Sequence, residues 1–209
     1  MQNLFLYTEL QLIHPKVSIE EMYAALNQVQ HHNLAALFVP PFWVKKLHRD
    51  WGVGNTATLG TIIGYPYGYQ RTEVKQLETE LALKDGATDI ELMLNTSAWF
   101  SNQNNWVKIE IAKLGKIVHQ QEAFFTVAIN TCHFDTTNLQ QAIKDAIDAG
   151  ADYIKIYQPF NLAQSLAIKQ WIPDKVGLKL CADIATKNQM QKLVDAGIER
   201  LCMTDFLLE

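Results

Sequence analysis

The hydrophobic positions of this chain form short runs that alternate with longer amphipathic segments. Runs with the length and composition of strands lie at 4–10, 35–39, 58–63, 90–94, 124–130, 153–157, 176–181 and 200–204. Helical patterns separate most of them, as in "SIEEMYAALNQVQ", where Ser18 and Glu21 are spaced as a capping box. Short apolar strands that directly follow helices predict repeated βα units and a mainly parallel sheet.

A recurring junction marks the ends of the predicted helices. The segments "LALKDGATDIELML", "DAIDAGADYIKIY" and "KLVDAGIERLCMT" each pass from a helical pattern through a glycine to an apolar strand. Gly86, Gly150 and Gly197 are predicted to take the left-handed conformation that often follows a helix. Asn33 is predicted to do the same after the first helix.

The number of strands predicts the fold. Eight strands alternating with helices are the count of a (β/α)8 TIM barrel, and we expect residues 1–209 to form one α/β domain of this kind. A doubly wound open sheet is the alternative, but it usually carries a glycine-rich nucleotide loop, and neither GxGxxG nor GxxxxGK[ST] occurs. Since the last strand ends close to Glu209, the last helix is expected to be missing or very short.

Composition and charge narrow the function classes. The net charge is -4 without a basic stripe, which argues against a nucleic-acid or anionic-membrane partner. No run reaches the ~20 apolar residues of a membrane span, and the start, "MQNLFLYTEL", does not resemble a signal peptide. Cys132, Cys181 and Cys202 are widely spaced in or after apolar strands, which favours buried free thiols over a disulfide framework or a zinc site. A cytoplasmic location is the simplest expectation.

Two lysines interrupt apolar strands. Lys155 lies in the middle of "YIKIY", and Lys179 lies in the middle of "VGLKLCA". If both side chains point into the barrel, two ammonium groups share a small space, and repulsion and burial lower the pKa of each. A neutral amine at neutral pH is what a Schiff-base nucleophile requires. The alternative is that one or both side chains point outward and extend between the helices.

Acidic and amide side chains accompany the lysines. Glu91 and Glu9 each lie inside a predicted strand, where they could relay protons to the lysines or form ion pairs at a strand end. Asn95, Asn130 and Thr131 lie at the carboxyl ends of strands, where the catalytic residues of a TIM barrel are found. The six histidines show neither HxH nor HExxH spacing, so we expect no metal site.

The segments that carry these residues resemble one family. "TIIGYPYGYQRTEVKQLETELALKDGATDIELMLN" is similar to the pattern TVIGFPLG…TEVK…EA..A...GADEID.V.N of the deoxyribose-phosphate aldolases, class I aldolases on a (β/α)8 barrel. "VPPFWV", "AGADYIKI" and "VGLKLCADI" resemble the family's VNPYWV, AGADFIKTSTG and VGVKASGGI. The order and spacing of these segments agree from about Glu9 to the end of the chain.

The resemblance implies roles for the charged residues. Lys155 takes the place of the Schiff-base lysine, and Lys179 that of the second lysine, which lowers the pKa of the first. Glu91 stands where the family has a proton-relay aspartate, and Glu9 where it has another acidic residue. The family's reaction is the reversible cleavage of 2-deoxyribose 5-phosphate to acetaldehyde and glyceraldehyde 3-phosphate. The implied partner is therefore a small aldehyde or sugar, and no metal or organic cofactor is needed.

Departures from the family pattern fall in the phosphate-binding turns. The family's Thr-Ser-Thr-Gly, Ser-Gly-Gly and Gly-Thr-Ser-Ser-Gly are "IYQP", "CAD" and "CMTDF" here. These changes add side chains where glycines bring backbone N–H groups to a phosphate, and Asp183 and Asp205 add negative charge, so we expect weakened phosphate recognition. Glu91 and Glu9 are each one methylene longer than the family's aspartates, a shift of about 1.5 Å. The expected substrate-binding residues are Asn95, Asn130, Thr131, Asp183, Thr204 and Asp205.

Two classes of function follow. The first is a lyase that forms a Schiff base at Lys155 and acts on an unphosphorylated or smaller aldehyde. A variant of this class carries out another Schiff-base or lyase reaction in the same pocket. The alternative is a barrel that has lost catalysis and acts as a binding or regulatory protein, as the changed turns and relay residues would allow. Exposed aromatic residues could form a homodimer interface, and the candidates are Trp43, Trp51, Trp99 and Trp106.

Overall fold

A closed barrel of parallel strands forms the centre of the molecule. The structure is a computed structural model that describes residues 3–52, 55–157, 162–181 and 186–204. Within these residues eight strands pair in chain order, and the eighth pairs with the first. The strands are β1 (Thr8–Gln11), β2 (Ala36–Val39), β3 (Thr58–Ile63), β4 (Asp89–Met93), β5 (Phe124–Asn130), β6 (Tyr153–Tyr157), β7 (Gly177–Cys181) and β8 (Arg200–Met203).

Helices cover the outside of the barrel. In the described residues they are α1 (Ile19–His32), α2 (Pro41–Asp50), α3 (Thr72–Lys84), α4 (Thr96–Phe100), α5 (Asn104–His119), α6 (Thr136–Asp148), α7 (Leu162–Lys169) and α8 (Lys187–Asp195). Short 3-10 helices lie at Leu4–Tyr7 and Thr131–His133. The prediction of a (β/α)8 barrel is confirmed. The expected absence of a helix after β8 concerns residues 205–209, which lie outside the described part of the chain.

The boundaries of most elements agree with the hydrophobic pattern. The first strand is shorter than expected because residues 4–7 form a 3-10 turn whose first N–H groups are capped by the side chain of Asn3. Helices α2, α4 and α7 were not evident from the pattern. Helix α2 begins in a proline pair and buries only Val44 and Leu47 among its side chains, so its apolar periodicity is weak.

The predicted helix ends are confirmed. Gly86, Gly150 and Gly197 have φ angles of 105°, 102° and 85°, and Asn33 has 53°. These positive φ values are costly for residues with a Cβ, which explains why glycine recurs at the junctions. The capping box at Ser18 also forms, since its hydroxyl accepts from the N–H of Glu21 and the Glu21 carboxylate accepts from the N–H of Ser18.

The molecule has two apolar regions, one on each side of the sheet. The larger lies between the strands and the helices. The smaller lies inside the barrel and consists of Ala36, Phe38, Ile62, Met93 and Ala128. Bulky aliphatic side chains normally fill such a barrel, so this small apolar set leaves much of the interior to polar residues.

The tryptophans and cysteines correct two expectations. Trp51 and Trp99 are 9% and 4% exposed, so they are core residues and cannot offer a dimer surface, whereas Trp106 is 66% exposed. Of the cysteines, Cys202 is buried and Cys181 is half-buried, but Cys132 is exposed in a 3-10 turn. No helix in the described residues is long and apolar enough to cross a membrane.

Candidate active site

Five charged side chains meet inside the barrel. Because side chains alternate along a strand, every second residue of β1, β4, β6 and β7 points inward. This places Glu9, Asp89, Glu91, Lys155 and Lys179 in one cluster, and each is 3% exposed or less. The alternative in which the lysines extend outward between the helices is therefore wrong.

Lys155 is held against Glu91. The Lys155 ammonium donates to Oε1 of Glu91 at 2.6 Å and lies 3.9 Å from Oε2 of Glu9. The ring of Phe38 lies below it, with 4.7 Å between Nζ and the ring centroid. Lys155 thus has one short contact to a carboxylate that can accept its proton.

Lys179 is held by a different carboxylate. Its ammonium donates to Oδ2 of Asp89 at 2.5 Å, and Oε1 of Glu9 lies 3.1 Å away without the direction of a hydrogen bond. The other oxygen of Asp89 accepts from the hydroxyl of Thr126 at 3.3 Å. Lys155 and Lys179 are register partners on neighbouring strands, yet each ammonium faces its own carboxylate.

A second set of polar groups lies above the lysines, at the carboxyl ends of β1 and β6. The amide nitrogen of Gln11 donates to the phenol oxygen of Tyr157 at 2.5 Å and to Oε2 of Glu91 at 3.3 Å. The phenol of Tyr157 donates to the same Oε2 at 3.2 Å. Both oxygens of Glu91 are therefore hydrogen-bonded, one toward Lys155 and the other toward the mouth of the barrel.

Two thiols complete this layer. Cys181 and Cys202 are register partners on β7 and β8. The thiol of Cys181 donates to Oε1 of Gln11 at 3.4 Å, and the thiol of Cys202 donates to Oε2 of Glu9 at 3.1 Å. The thiols therefore act as weak donors that fix the orientation of the side chains around the lysines.

The charges in the cluster keep both lysines protonated. Burial lowers the pKa of Lys155, but groups that can carry negative charge, Cys202 and Glu91 first, outweigh burial and raise it. Burial also lowers the pKa of Lys179, and Asp89 and Glu9 outweigh it, so this pKa is raised too. The expectation of lowered lysine pKa values is wrong, because three carboxylates face two ammonium groups.

The pKa values of the three carboxyl groups shift in different directions in these surroundings. Burial raises the pKa of Glu91 and of Asp89, and the neighbouring lysines offset only part of this effect. Burial acts on Glu9 as well, but Lys179 and Lys155 together hold its pKa below the ordinary value. Glu91 is thus the carboxylate beside Lys155 that most readily takes up a proton.

The chain is similar to known aldolases along most of its length. It is 26% identical to the deoxyribose-phosphate aldolase of Bacillus mycoides over 195 residues, which are 91% of this chain and 86% of that protein. It is 27% identical to the deoxyribose-phosphate aldolase of Thermococcus kodakarensis over 194 residues, which are 90% and 86% of the two chains. This chain thus resembles the deoxyribose-phosphate aldolases over about 90% of its length. No model of a protein family matches it.

Solved structures of aldolases share the fold of this chain. The barrel superposes on the aldolase QR15 with a TM-score of 0.88 at 22% identity, covering 98% of this chain and 92% of that one. It superposes on the deoxyribose phosphate aldolase of Aeropyrum pernix, described as tetrameric, with a TM-score of 0.84 at 19% identity, covering 96% and 86%. Identities this low show the shared fold alone.

Three polar side chains expected to bind substrate form hydrogen bonds to backbone groups instead. The side chain of Asn95 accepts from the N–H of Ala98 at 3.1 Å and so caps α4. That of Asn130 accepts from the N–H of Cys132 at 3.2 Å. The hydroxyl of Thr131 donates to the carbonyl of Tyr157 at 3.0 Å. All three lie at the carboxyl ends of β4 and β5, as expected. In the described contacts their polar atoms hold the backbone at the rim of the barrel.

The remaining predicted residues lie around β7 and β8. Thr204 follows β8 and is exposed. Asp183 and Asp205 lie outside the described residues. Among the described residues, no group of three or more histidine, cysteine, aspartate or glutamate side chains could hold a metal ion.

Sequence reasoning missed several residues of this site. Asp89 precedes Glu91 by two residues, Gln11 follows Glu9 by two, and Tyr157 follows Lys155 by two. Spacing by two places side chains on one face of a strand, so this signal was present in the sequence. Phe38 had no such polar neighbour on its own strand, and only the barrel brings its ring under both lysines.

Proposed function

We propose that this protein is a Schiff-base aldolase whose nucleophile is Lys155. The observation that carries the proposal is the 2.6 Å contact between the fully buried ammonium of Lys155 and Glu91. A buried lysine beside a carboxylate of raised pKa has both the amine and the proton acceptor that imine formation requires. The similarity to deoxyribose-phosphate aldolases over about 90% of the chain supports the same reaction.

The reaction begins with a proton transfer. Glu91 takes a proton from the Lys155 ammonium, and the neutral amine adds to the carbonyl carbon of an aldehyde. Glu91 returns the proton to the hydroxyl of this adduct, which leaves as water and gives an iminium cation, and the iminium accepts the electrons of the carbon–carbon bond as that bond breaks. Glu91 and Glu9 stabilise the positive charge on the iminium, as they do that of the Lys155 ammonium.

Lys179 balances the charge of the pocket. It keeps its own proton because Asp89 and Glu9 hold it at 2.5 Å and 3.1 Å. Without Lys179, Asp89 would be buried without a cation and Glu9 would keep only the more distant Lys155 and Arg200, which is costly. Its role in the proposal is therefore to fix the carboxylates around Lys155 rather than to lower the pKa of Lys155 by repulsion.

The substrate of the proposal is a small aldehyde or an unphosphorylated sugar. The support is that Tyr157 places a phenol ring in the mouth, 5.3 Å from the Nζ of Lys155, two residues after the lysine. The sequence adds acidic residues at 183 and 205, in the turns that bind phosphate in the family. Carboxylates near a phosphate dianion repel it.

A catalytically impaired barrel that binds a ligand is the second candidate. The raised pKa of Lys155 favours it, because an ammonium group has no lone pair with which to attack a carbonyl. In this candidate the buried charges have a structural role only. The two candidates differ in whether an imine forms at Lys155.

Borohydride trapping separates these candidates. The protein is incubated with acetaldehyde between pH 6 and 9, reduced, digested and examined by mass spectrometry. We expect an added ethyl group on the peptide that carries Lys155. The adduct should be absent in Lys155→Met, which keeps most of the side-chain volume, and present in the exposed control Lys175→Ala. An unmodified wild-type peptide across this pH range would refute the aldolase.

The phosphate claim has its own test. The rates of cleavage of 2-deoxyribose and of 2-deoxyribose 5-phosphate are compared at equal concentrations of enzyme. Weak phosphate recognition predicts rates within about tenfold of each other, because the phosphate then adds little binding energy. A preference of a hundredfold or more for the phosphorylated sugar would show that the turns still bind phosphate.

Self-association is part of the proposal as well. Phe42 is 83% exposed and Trp106 is 66% exposed, and large exposed aromatic side chains are enriched in interfaces between subunits. We propose a homodimer, and light scattering after size-exclusion chromatography measures its mass directly.

A further inference from the structure

Tyr157 occupies the position through which a substrate oxygen would reach Glu91. It ends β6 at the mouth of the barrel, and its phenol donates to Oε2 of Glu91 at 3.2 Å while accepting from Gln11 at 2.5 Å. We propose that Tyr157 is a catalytic residue that carries a proton between the hydroxyl of the substrate and Glu91. This inference rests on the proposed aldolase function and adds a second acid–base residue to it.

The surroundings of the phenol suit this role. Its ring lies beside the Lys155 ammonium, with 5.3 Å between Nζ and the centroid, and packs against the small apolar cluster inside the barrel. Burial and the charge of Glu91 raise the pKa of Tyr157, although Lys155 acts in the opposite direction. The phenol therefore holds its proton at neutral pH and can release it only as another proton arrives.

The two carboxylate oxygens of Glu91 have different hydrogen-bond partners. Oε1 faces Lys155 at 2.6 Å, and Oε2 faces Tyr157 and Gln11. One oxygen can thus accept a hydrogen bond from the nitrogen of the iminium while the other exchanges a proton with a group at the mouth of the barrel. The chain Tyr157–Glu91–Lys155 is continuous in the structure and ends at the atom that bonds to the substrate.

The proton transfers balance in the direction of cleavage. The substrate is a β-hydroxy aldehyde joined to Lys155 as an iminium. Its hydroxyl gives a proton to the phenol oxygen of Tyr157, whose own proton passes to Oε2 of Glu91. The electron pair left on the hydroxyl oxygen forms a carbonyl, the adjacent carbon–carbon bond breaks, and its electrons reduce the iminium to an enamine. In the direction of bond formation each transfer is reversed.

Gln11 is the positioning residue of this relay. Its amide nitrogen holds the phenol oxygen at 2.5 Å, and its amide oxygen accepts from the thiol of Cys181 at 3.4 Å. The amide is thereby fixed in the orientation that presents N–H to Tyr157. Loss of this amide should misplace the phenol without removing it, which predicts a lower kcat at an unchanged KM.

The test uses 3-hydroxybutanal, the smallest β-hydroxy aldehyde whose cleavage gives acetaldehyde. Acetaldehyde release is followed with a coupled dehydrogenase, and imine formation is followed in parallel by borohydride trapping. Tyr157→Phe keeps the ring beside Lys155 and removes only the hydroxyl. We expect its kcat to fall by about a hundredfold or more, with KM and the trapped fraction each within about threefold of wild type.

Tyr23→Phe is the matched control, because Tyr23 lies on α1, outside the barrel, where its hydroxyl donates to Asp50. It should cleave at the wild-type rate. In Gln11→Leu, kcat should fall about tenfold while the trapped fraction is kept. A merely structural role for Tyr157 would lower trapping and cleavage together.

The outcomes are distinguishable from failure of the aldolase itself. If wild type forms no imine at Lys155, the proposed function is wrong and the relay with it. If wild type forms the imine and Tyr157→Phe cleaves at the wild-type rate, the relay alone is overturned. If wild type traps acetaldehyde but does not cleave 3-hydroxybutanal, the cleavage reaction and the relay are both overturned. A large loss of kcat in Tyr157→Phe with normal trapping supports it.

Discussion

Lys155 and Lys179 lie directly opposite each other on neighbouring strands, and both ammonium groups lie 4.7 Å from the centroid of the Phe38 ring. Their nearest partners are nevertheless different carboxylates, Glu91 at 2.6 Å and Asp89 at 2.5 Å. The pair is thus a set of linked ion pairs, and not two cations in mutual repulsion. In the proposed mechanism, proton transfer to a neighbouring carboxylate therefore replaces a lowered lysine pKa as the route to a reactive amine.

Neutralising Glu91 should separate imine formation from turnover. Its negative charge raises the pKa of Lys155, so Glu91→Gln should lower that pKa and increase the fraction of neutral amine at a given pH. Once imine formation has reached equilibrium, which takes longer without this proton acceptor, borohydride trapping of acetaldehyde should begin at a lower pH than in wild type. Cleavage of 3-hydroxybutanal should fall by about a hundredfold or more. Glu80→Gln, at an exposed carboxylate on α3, is the control. A shift of the trapping curve to higher pH would contradict the assigned charge effect.

A methyl group at Gly60 should disturb the floor of the site. Phe38 and Gly60 are register partners, and a Cβ added at Gly60 would lie 2.3 Å from the Phe38 ring. Gly60→Ala should therefore lower the free energy of unfolding by about 1–3 kcal/mol, as overpacking does. Denaturant unfolding measures the loss. The double variant with Phe38→Leu should be more stable than Gly60→Ala alone, and equal stability of Gly60→Ala and wild type would show that the ring moves freely.

The buried pair Lys75 and Glu110, between α3 and α5, predicts non-additive stability. The Lys75 ammonium donates to Glu110 at 2.6 Å, and Thr72 donates to the other carboxylate oxygen at 2.8 Å. Lys75→Met leaves a buried carboxylate without its cation, and we expect a loss of about 3–5 kcal/mol in the free energy of unfolding. Replacing both residues, as Lys75→Met with Glu110→Leu, should restore most of it. Additive losses in this double-mutant cycle would exclude coupling between the two side chains.

The same pair predicts a dependence on alkaline pH. Burial outweighs the attraction of Glu110 and lowers the pKa of Lys75 below 10.5. The folded state then binds fewer protons than the unfolded state between the two pKa values. The stability should therefore rise with pH through that window by this contribution, and the rise should vanish in the double variant. Its persistence there would assign it to other groups.

The carboxyl group of Asp50 is expected to titrate at an unusually low pH. The hydrogen bond from Arg49, and then that from Tyr23 at 2.5 Å, lower its pKa from 3.8 to about 2. Because the folded pKa is lowered, the stabilisation is present above pH 3.8 and is lost as the pH falls toward 2. Carbon-13 NMR of the side-chain carboxyl follows the titration. In Tyr23→Phe the midpoint should move upward, and an unchanged midpoint would assign the lowered pKa to the cations Arg49 and Lys46.

The sequence located the strands better than the contacts between them. The runs at 58–63, 124–130 and 153–157 coincide with β3, β5 and β6, since apolar composition and bounding glycines are local properties. The sequence left open whether Lys155 points into the barrel or outward between the helices, and the structure decided this. Asp89 was missed although it lies two residues before Glu91, because its partner Lys179 is 90 residues away in the chain.

What the sequence by itself determined is the order of βα units, the resemblance to one family and the presence of two lysines in neighbouring strands. Each depends on residue types and spacing within a single segment, and these are fixed before the chain folds. Only the tertiary structure decided the charge state of the site. That state depends on how many carboxylates face each ammonium in a medium of low dielectric constant, and closure of the barrel brings Glu9, Asp89 and Glu91 to the lysines from β1 and β4.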